Sequence, residues 1–296
     1  MYDLIIIDKY KRLKKILKIS CVLLIICLII VGISIFFIIK SNTKTINEYR
    51  AYSRIKEIIN KDLISQKELY IKQKKSNTLT EDQYNNIINI YSKNSEKTVY
   101  LTFDDGPSQT VTPLILDLLK QENIPASFFI LGNNAERYPQ LVQREYSEGH
   151  FIANHGYSHK YSEIYESTDT ILDDYNKCEQ ALKKALNDEN FSTNIYRFPG
   201  GSTGGKYHDV KSEGIEALKE NNIAYLDWNA LTCDAEGTPT KESIIENLKQ
   251  TVGNKKVVVL LMHDSSSKIL TYETLSEVIS FFRENGYTFK NLYDVF

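Results

Sequence analysis

Cysteine and proline are scarce in this chain, and glycine is no better than ordinary: four, six and thirteen residues among 296. So little glycine and proline excludes collagen-like and Pro-rich architectures. The four cysteines make no disulfide framework. Cys21 and Cys27 fall inside one apolar run, while Cys178 and Cys233 lie far apart, where a pair is open to them and free buried thiols are the default reading. No internal repeat is visible. A surplus of positive charge is also missing, since 36 Lys and Arg face 38 Asp and Glu for a net charge of −2. The charge is unevenly spread. Residues 1–40 hold seven Lys or Arg against Asp3 and Asp8, a net of +5, which leaves −7 on residues 41–296. A body this acidic argues against nucleic acid as a partner, because nucleic-acid readers gather Lys and Arg on one face. What is present is the composition of a folded protein, 42% apolar and 25% charged. The length suits one large domain with attachments, or two small ones.

One attachment is plain. Ile19 to Ile39 is a run of 21 residues without a charge, with Ser20 and Ser34 its only hydroxyl side chains. At ~1.5 Å per residue a helix of this length matches the roughly 30 Å hydrocarbon core of a bilayer. A cleaved signal peptide has a shorter apolar core and a small-residue cleavage site. Here the run ends in Phe36-Phe37-Ile38-Ile39, which offers none. The segment is therefore expected to stay attached as a single-pass anchor. Six basic residues between Lys9 and Lys18 put residues 1–18 in the cytoplasm, residues 19–39 across the cell membrane and residues 40–296 outside. Residues 40–96 read as an extracellular stalk. Ile46, Tyr49, Tyr52, Ile55, Ile59 and Leu63 recur at helical spacing, and Thr80 with Gln83 forms a capping box for a short helix through Tyr91.

From Lys97 to Phe296 short apolar runs alternate with helical stretches. Strands are expected at 99–103, 126–131, 151–154, 195–198, 224–228 and 257–262. Helices are expected at 111–122, 138–147, 169–186, 212–221, 241–251 and 272–285. This alternation specifies an α/β domain with a parallel sheet, either wound open or closed as a barrel. In a barrel, chemistry belongs to loops leaving the C-terminal ends of strands.

The polar residues cluster at such ends. The first strand runs into Thr102-Phe103-Asp104-Asp105-Gly106-Pro107. Two adjacent carboxylates repel unless a cation or a proton relieves them, although Asp-Gly-Pro is equally a turn. The third strand runs into Asn154-His155-Gly156-Tyr157-Ser158-His159, which holds two of the five histidines. A helical turn would bring residues four apart to one side, within reach of one ion. Two His and a carboxylate make a three-ligand set that leaves a divalent metal partly open. The fourth strand ends in Tyr196-Arg197-Phe198-Pro199-Gly200-Gly201-Ser202, the last in Leu260-Leu261-Met262-His263-Asp264. Asp227-Trp228-Asn229 and Cys233-Asp234-Ala235 lie between them.

In this order the segments resemble the metal-dependent polysaccharide deacetylases of carbohydrate esterase family four, over roughly residues 97–296. The first matches that family's Asp-Asp motif and the second its His-x-x-x-His motif. Arg197 to Gly201 matches its Arg-x-Pro-x-Gly loop, and Leu261 to Asp264 its Leu-x-His-Asp end. The family places Trp directly after the Asp of its fourth motif; here Ala235 follows Asp234, and the nearest Trp is Trp228. The resemblance implies a distorted (β/α) barrel of about seven parallel strands, preceded here by the transmembrane helix and the stalk. It implies hydrolysis of N-acetyl groups on cell-wall glycans and, through that, resistance to lysozyme.

The residue chemistry and the resemblance converge on one scheme. Asp105, His155 and His159 hold a divalent metal, zinc first and cobalt second. Asp104 is the general base, paired with Arg197 by resemblance. His263 protonates the leaving amine and Asp234 orients it. Gly200, Leu261 and Trp228 are expected to contact substrate. Peptidoglycan N-acetylglucosamine is the first-choice substrate, ahead of N-acetylmuramic acid, chitin-like oligomers and an O-acetylated xylan. Two competing classes are a glycan-binding pseudoenzyme of the same fold and an unrelated metallohydrolase such as a phosphoesterase, though two-metal phosphoesterases require more bridging carboxylates.

Overall fold

The structure, a computed structural model, describes residues 53–54, 78–92 and 96–296. The expected cytoplasmic segment and membrane span lie outside the described residues, as does the stalk up to residue 77 apart from Ser53 and Arg54, which are helical and exposed. Among the described residues, no helix is long and apolar enough to cross a membrane.

The first element is α1 (Glu81–Ile88), opened by the Thr80–Gln83 capping box. From there strands and helices alternate. β1 (Thr98–Asp104), α2 (Thr112–Glu122) and β2 (Ser127–Ile130) come first. α3 (Gly132–Arg137), α4 (Pro139–Ser147), β3 (Phe151–Asn154) and α5 (Tyr161–Ile164) follow. Next are α6 (Thr168–Leu186), β4 (Ile195–Tyr196), α7 (His208–Glu220), β5 (Ala224–Tyr225) and β6 (Ala230–Leu231). Then come α8 (Lys241–Val252), β7 (Val257–His263), α9 (Ile269–Glu284) and β8 (Thr288–Lys290), and a 3-10 turn at Leu292–Val295 closes the fold.

All the strands pair in parallel in the order β5-β4-β3-β2-β1-β7-β6, with β8 beside the first half of β1. The two ends of this order, β5 and β6, are joined by only Leu226–Asn229. Laid flat, seven strands at ~4.8 Å would set the ends roughly 29 Å apart. Five Cα steps reach about 18 Å at most. The sheet therefore curls back on itself. A chain crossing, instead of a strand pair, links its edges: Leu226 N–H donates to Tyr196 O on one side, and Asn229 N–H to Val259 O on the other. This corrects the single strand expected over residues 224–228. That apolar run could not signal that the strand stops at Tyr225 and that the chain then leaves one edge to join the other at Asn229. β8, α3 and α5 are further elements whose short, weakly patterned sequences gave no warning.

Strand alternation sorts the core into two layers. Val99, Leu101 and Phe103 of β1, Phe128 and Ile130 of β2, Ile152 of β3 and Val258, Leu260 and Met262 of β7 pack under the helices. Tyr100, Phe129, Phe151, Ala153, Ile195, Val257 and Val259 point the other way, into the curl. Leu79, Ile87 and Ile90 join that inner layer, and Asn222 Nδ2 donates to Leu79 O at the start of β5. The helix expected as the end of the stalk thus packs into the base of the folded unit. Complete burial of Ile87 alone contributes on the order of 2 kcal/mol.

Candidate functional site

The inward parity of each strand carries polar residues to the C-terminal rim. On β1 the series Tyr100, Thr102 ends in Asp104; on β7 Val257, Val259, Leu261 ends in His263. The two strands pair in register, with Asp104 opposite His263 and Thr102 opposite Leu261. His155 lies one residue past β3 and Arg197 one past β4, each continuing the inward series of its strand. Parity alone would turn Asp105 away from Asp104. Its φ of 71° breaks the strand there and returns the second carboxylate to the same site. Asn134 Nδ2 fixes this turn by donating to Asp105 O at 2.8 Å.

Asp105, His155 and His159 come together. Asp105 Oδ1 lies 3.4 Å from His155 Nε2 and 3.2 Å from His159 Nε2. Three such ligand atoms fall within 4.8 Å of one another. Metal–ligand bonds of about 2.1 Å in a tetrahedral shell leave ligands roughly 3.4 Å apart, so these spacings fit a divalent ion such as zinc. Two further observations agree. Asp105 Oδ1 is buried without a hydrogen-bond partner. His155 Nδ1–H donates to Arg197 O at 2.8 Å, which leaves Nε2 as the lone-pair nitrogen facing the cluster.

The two His arrive by a different route from the one the spacing suggested. Residues 155–159 form no helical turn. Gly156 and His159 take left-handed φ values of 80° and 57°, and the folded loop sets the rings 5.3 Å apart. Asp174, on α6, holds the loop by accepting from Tyr157 N–H at 2.7 Å and Ser158 N–H at 3.2 Å, and Asn154 Oδ1 accepts from Gly156 N–H at 2.8 Å.

Arg197 is fully buried and donates through Nη1 to Asp104 Oδ1 at 2.7 Å and to Thr102 Oγ1 at 2.8 Å. Its Nε donates to Leu226 O, and its guanidinium lies 3.7 Å over the Phe129 ring. A buried charge held by four partners is a rigid clamp on Asp104. Asp104 Oδ2 remains on the cluster side, 3.7 Å from His155 Nε2.

Across the rim, His263 Nδ1–H donates to Asp234 Oδ1 at 2.8 Å, and the His263 backbone N–H to Asp234 Oδ2 at 2.8 Å. Thr271 Oγ1 donates to the same carboxylate at 2.6 Å. Asp227, the other acid of this stretch, is occupied elsewhere, accepting from Ser202 N–H and, at 2.5 Å, from Ser202 Oγ. Burial would push the His263 imidazole down, but Asp234 overrides it and raises the pKa to about 9. Burial likewise opposes the ionised Asp234, yet His263 holds it below its ordinary value. Burial drives His159 down, helped by the neighbouring His155.

Gly200 sits in the loop after Arg197 with φ 72°, and no described residue accepts its N–H. Leu261 is buried on the inner face of β7, two residues before His263. Trp228 is not brought to the three-ligand cluster. It stands 5.8 Å from the Arg197 guanidinium and against Gly201. Cys178 is buried and Cys233 partly exposed, both as free thiols. Sequence reasoning passed over Thr102, Asn134, Asp174 and Thr271. Each is a common residue type whose role depends on a partner distant in the chain.

Residues 91–218 match the family described as polysaccharide deacetylase. Over 202 residues the chain is 32% identical to a peptidoglycan-N-acetylglucosamine deacetylase of Bacillus cereus, covering 67% of this chain and 68% of that protein. It is 28% identical over 220 residues to the peptidoglycan-N-acetylmuramic acid deacetylase PdaA of Bacillus subtilis, covering 72% and 78%. Its structure is similar to that of a CE4 esterase of Streptococcus mutans, with a TM-score of 0.63 at 32% identity, over 73% of this chain and 92% of that one.

Proposed function

The chain belongs to the polysaccharide deacetylase family, and on that premise we propose that it hydrolyses N-acetyl groups on peptidoglycan amino sugars, N-acetylglucosamine foremost, to acetate and a free amine. The observation that carries this reading is the convergence of the Asp105–His155–His159 cluster with two separate proton-handling pairs, Asp104–Arg197 and His263–Asp234.

Asp105, His155 and His159 would hold a divalent metal, zinc foremost, which when bound polarises a carbonyl and makes water more acidic. Arg197 occupies Asp104 Oδ1, so Oδ2 is the atom that takes a proton from the attacking water. As the water oxygen bonds to the acetyl carbon, negative charge gathers on the carbonyl oxygen, and the Gly200 N–H is free to donate to it. The C–N bond then breaks only if the nitrogen is protonated, since an amide anion leaves poorly. His263 carries that proton on Nε2 while Asp234 binds Nδ1–H, and Asp234 is held in turn by Thr271. Leu261 lines the space for the acetyl methyl. Trp228, away from the three-ligand cluster, would contact the sugar from beside the Arg197 guanidinium and Gly201.

The zinc-loaded protein incubated with purified peptidoglycan should release acetate, and the glucosamine residues should gain a free amine. Absence of acetate with both zinc and cobalt would overturn the reading; amine on muramic acid alone would shift the substrate to the second sugar. We further propose that the chain is anchored in the cell membrane by residues 19–39 with the catalytic domain outside. The uncharged 21-residue run and the basic cluster before it support this. Protease added to wall-stripped cells should digest the domain, whereas a domain found free in the medium would sink the idea.

A further inference from the structure

Tyr161 opens α5, two residues after His159, and is one of three large hydrophobic side chains exposed among the described residues, at 39%. Its ring centroid lies 5.4 Å from that of His159. Its hydroxyl oxygen lies 2.6 Å from the point where a Cβ on Gly200 would stand. The phenol thus fills the notch that the missing side chain leaves, and sets its O–H against Gly200. The ring is held in place. Tyr165 packs on it at 5.8 Å and is itself tied to the same loop by donating to Pro199 O at 2.7 Å.

Neither the Tyr161 O–H nor the Gly200 N–H has an acceptor among the described residues. Two donors on packed neighbouring residues, one of them against the ring of a residue of the three-ligand cluster and neither satisfied internally, are suited to developing negative charge.

We propose that the Tyr161 hydroxyl is a second oxyanion donor, hydrogen-bonding the acetamide oxygen together with the Gly200 N–H; this rests on the deacetylase reading. As the water oxygen bonds to the carbonyl carbon, the C=O π pair moves onto the carbonyl oxygen, and Tyr161 stabilises it without transferring its proton. When the C–N bond breaks, the carbonyl reforms and the hydrogen bond weakens. The competing role for an exposed tyrosine here is a platform on which a sugar ring stacks, a role in which the hydroxyl is dispensable.

Tyr161→Phe and Tyr161→Ala separate the two, with the N-acetylglucosamine tetramer as substrate and probe. The hydroxyl role requires Tyr161→Phe to lose about 100-fold in kcat, with KM within about twofold of wild type. Zinc content, and the affinity of the metal-free protein for the tetramer, should match wild type. Tyr161→Ala should then be little worse than Tyr161→Phe. A Phe variant within about threefold of wild-type kcat, a loss confined to KM or tetramer affinity, or a fall in zinc content would each overturn the proposal. A wild-type protein that releases acetate from the tetramer while the Phe variant does so equally well defeats this inference alone; a wild-type protein inactive on both tetramer and peptidoglycan defeats the deacetylase reading with it.

Discussion

Replacing Asp234 by Asn tests the proton supply to the leaving amine and keeps the shape of the side chain. Asp234 accepts three hydrogen bonds, from His263 Nδ1–H, His263 N–H and Thr271 Oγ1. An amide offers one acceptor oxygen, so in either orientation its NH2 group meets a former donor. The larger consequence is electrostatic. With Asp234 in place the His263 pKa rises from 6.5 to about 9, a stabilisation of the imidazolium of about 3 kcal/mol. The raised pKa means the acid form is fully present below the ordinary value and is lost as pH climbs through about 9. If the substitution returns the imidazole toward its ordinary value, the protonated fraction at pH 7.5 falls from about 97% to about 9%, close to tenfold. At pH 5.5 the same change leaves roughly 90% protonated, and the deficit should nearly vanish. The expected profile of kcat/KM therefore has its alkaline limb displaced downward by up to about 2.5 pH units, with zinc content unaltered. Asp227→Asn, which touches Ser202 and not His263, should leave that limb in place. An Asp234→Asn deficit equal at every pH, or a limb moved by Asp227→Asn instead, would refute the assignment.

His155→Ala removes one of three ligand atoms, and zinc content measured after dialysis should fall to a small fraction of wild type; full stoichiometry would remove His155 from the metal set. Asp104→Asn should retain zinc while kcat drops by about 10²–10⁴, since an amide cannot take the water's proton; retention of activity would point to another base. Ile87→Ala should cost about 2–5 kcal/mol in urea unfolding, because Ile87 is fully buried in the inner layer, and a cost under about 1 kcal/mol would show that α1 is dispensable to the folded unit.

The parallel α/β sheet could be read from the sequence because strand and helix patterns alternate cleanly from Lys97 on, and each of the six apolar runs overlaps an observed strand. Its closure could not be read. Ala224-Tyr225 on one side of the crossing and Ala230-Leu231 on the other are equally short apolar pairs, and only the tertiary hydrogen bonds of Leu226 and Asn229 show that the chain changes edges. The tail strand β8 was equally hidden: it is three residues long, and its alignment beside β1 depends on pairs such as Thr98 with Thr288, nearly the whole domain apart.

At the site, residue types were legible and the reason for their meeting was not. Adjacent carboxylates in a strand must face opposite ways, so Asp104 and Asp105 can share a site only if the backbone leaves the strand between them. It does so at Asp105, at φ 71°, in the turn that Asn134 holds. The same device recurs at His159, whose φ of 57° replaces the helical turn that a four-residue spacing suggests. L-residues other than glycine take such conformations rarely, and here two of the three residues of the cluster adopt one. The cost, of order 1–3 kcal/mol each, is sustained by Asn134, Asp174 and Asn154, which tie these loops to neighbouring helices through backbone contacts. The ligand set is therefore held by its supports as much as by its own sequence. Those supports are single Asn and Asp side chains scattered over forty residues, with no spacing that would mark them. An ion bound between Asp105, His155 and His159 would offset the repulsion of Asp104 and Asp105 that the turn creates, which gives the strained backbone a physical reason to persist.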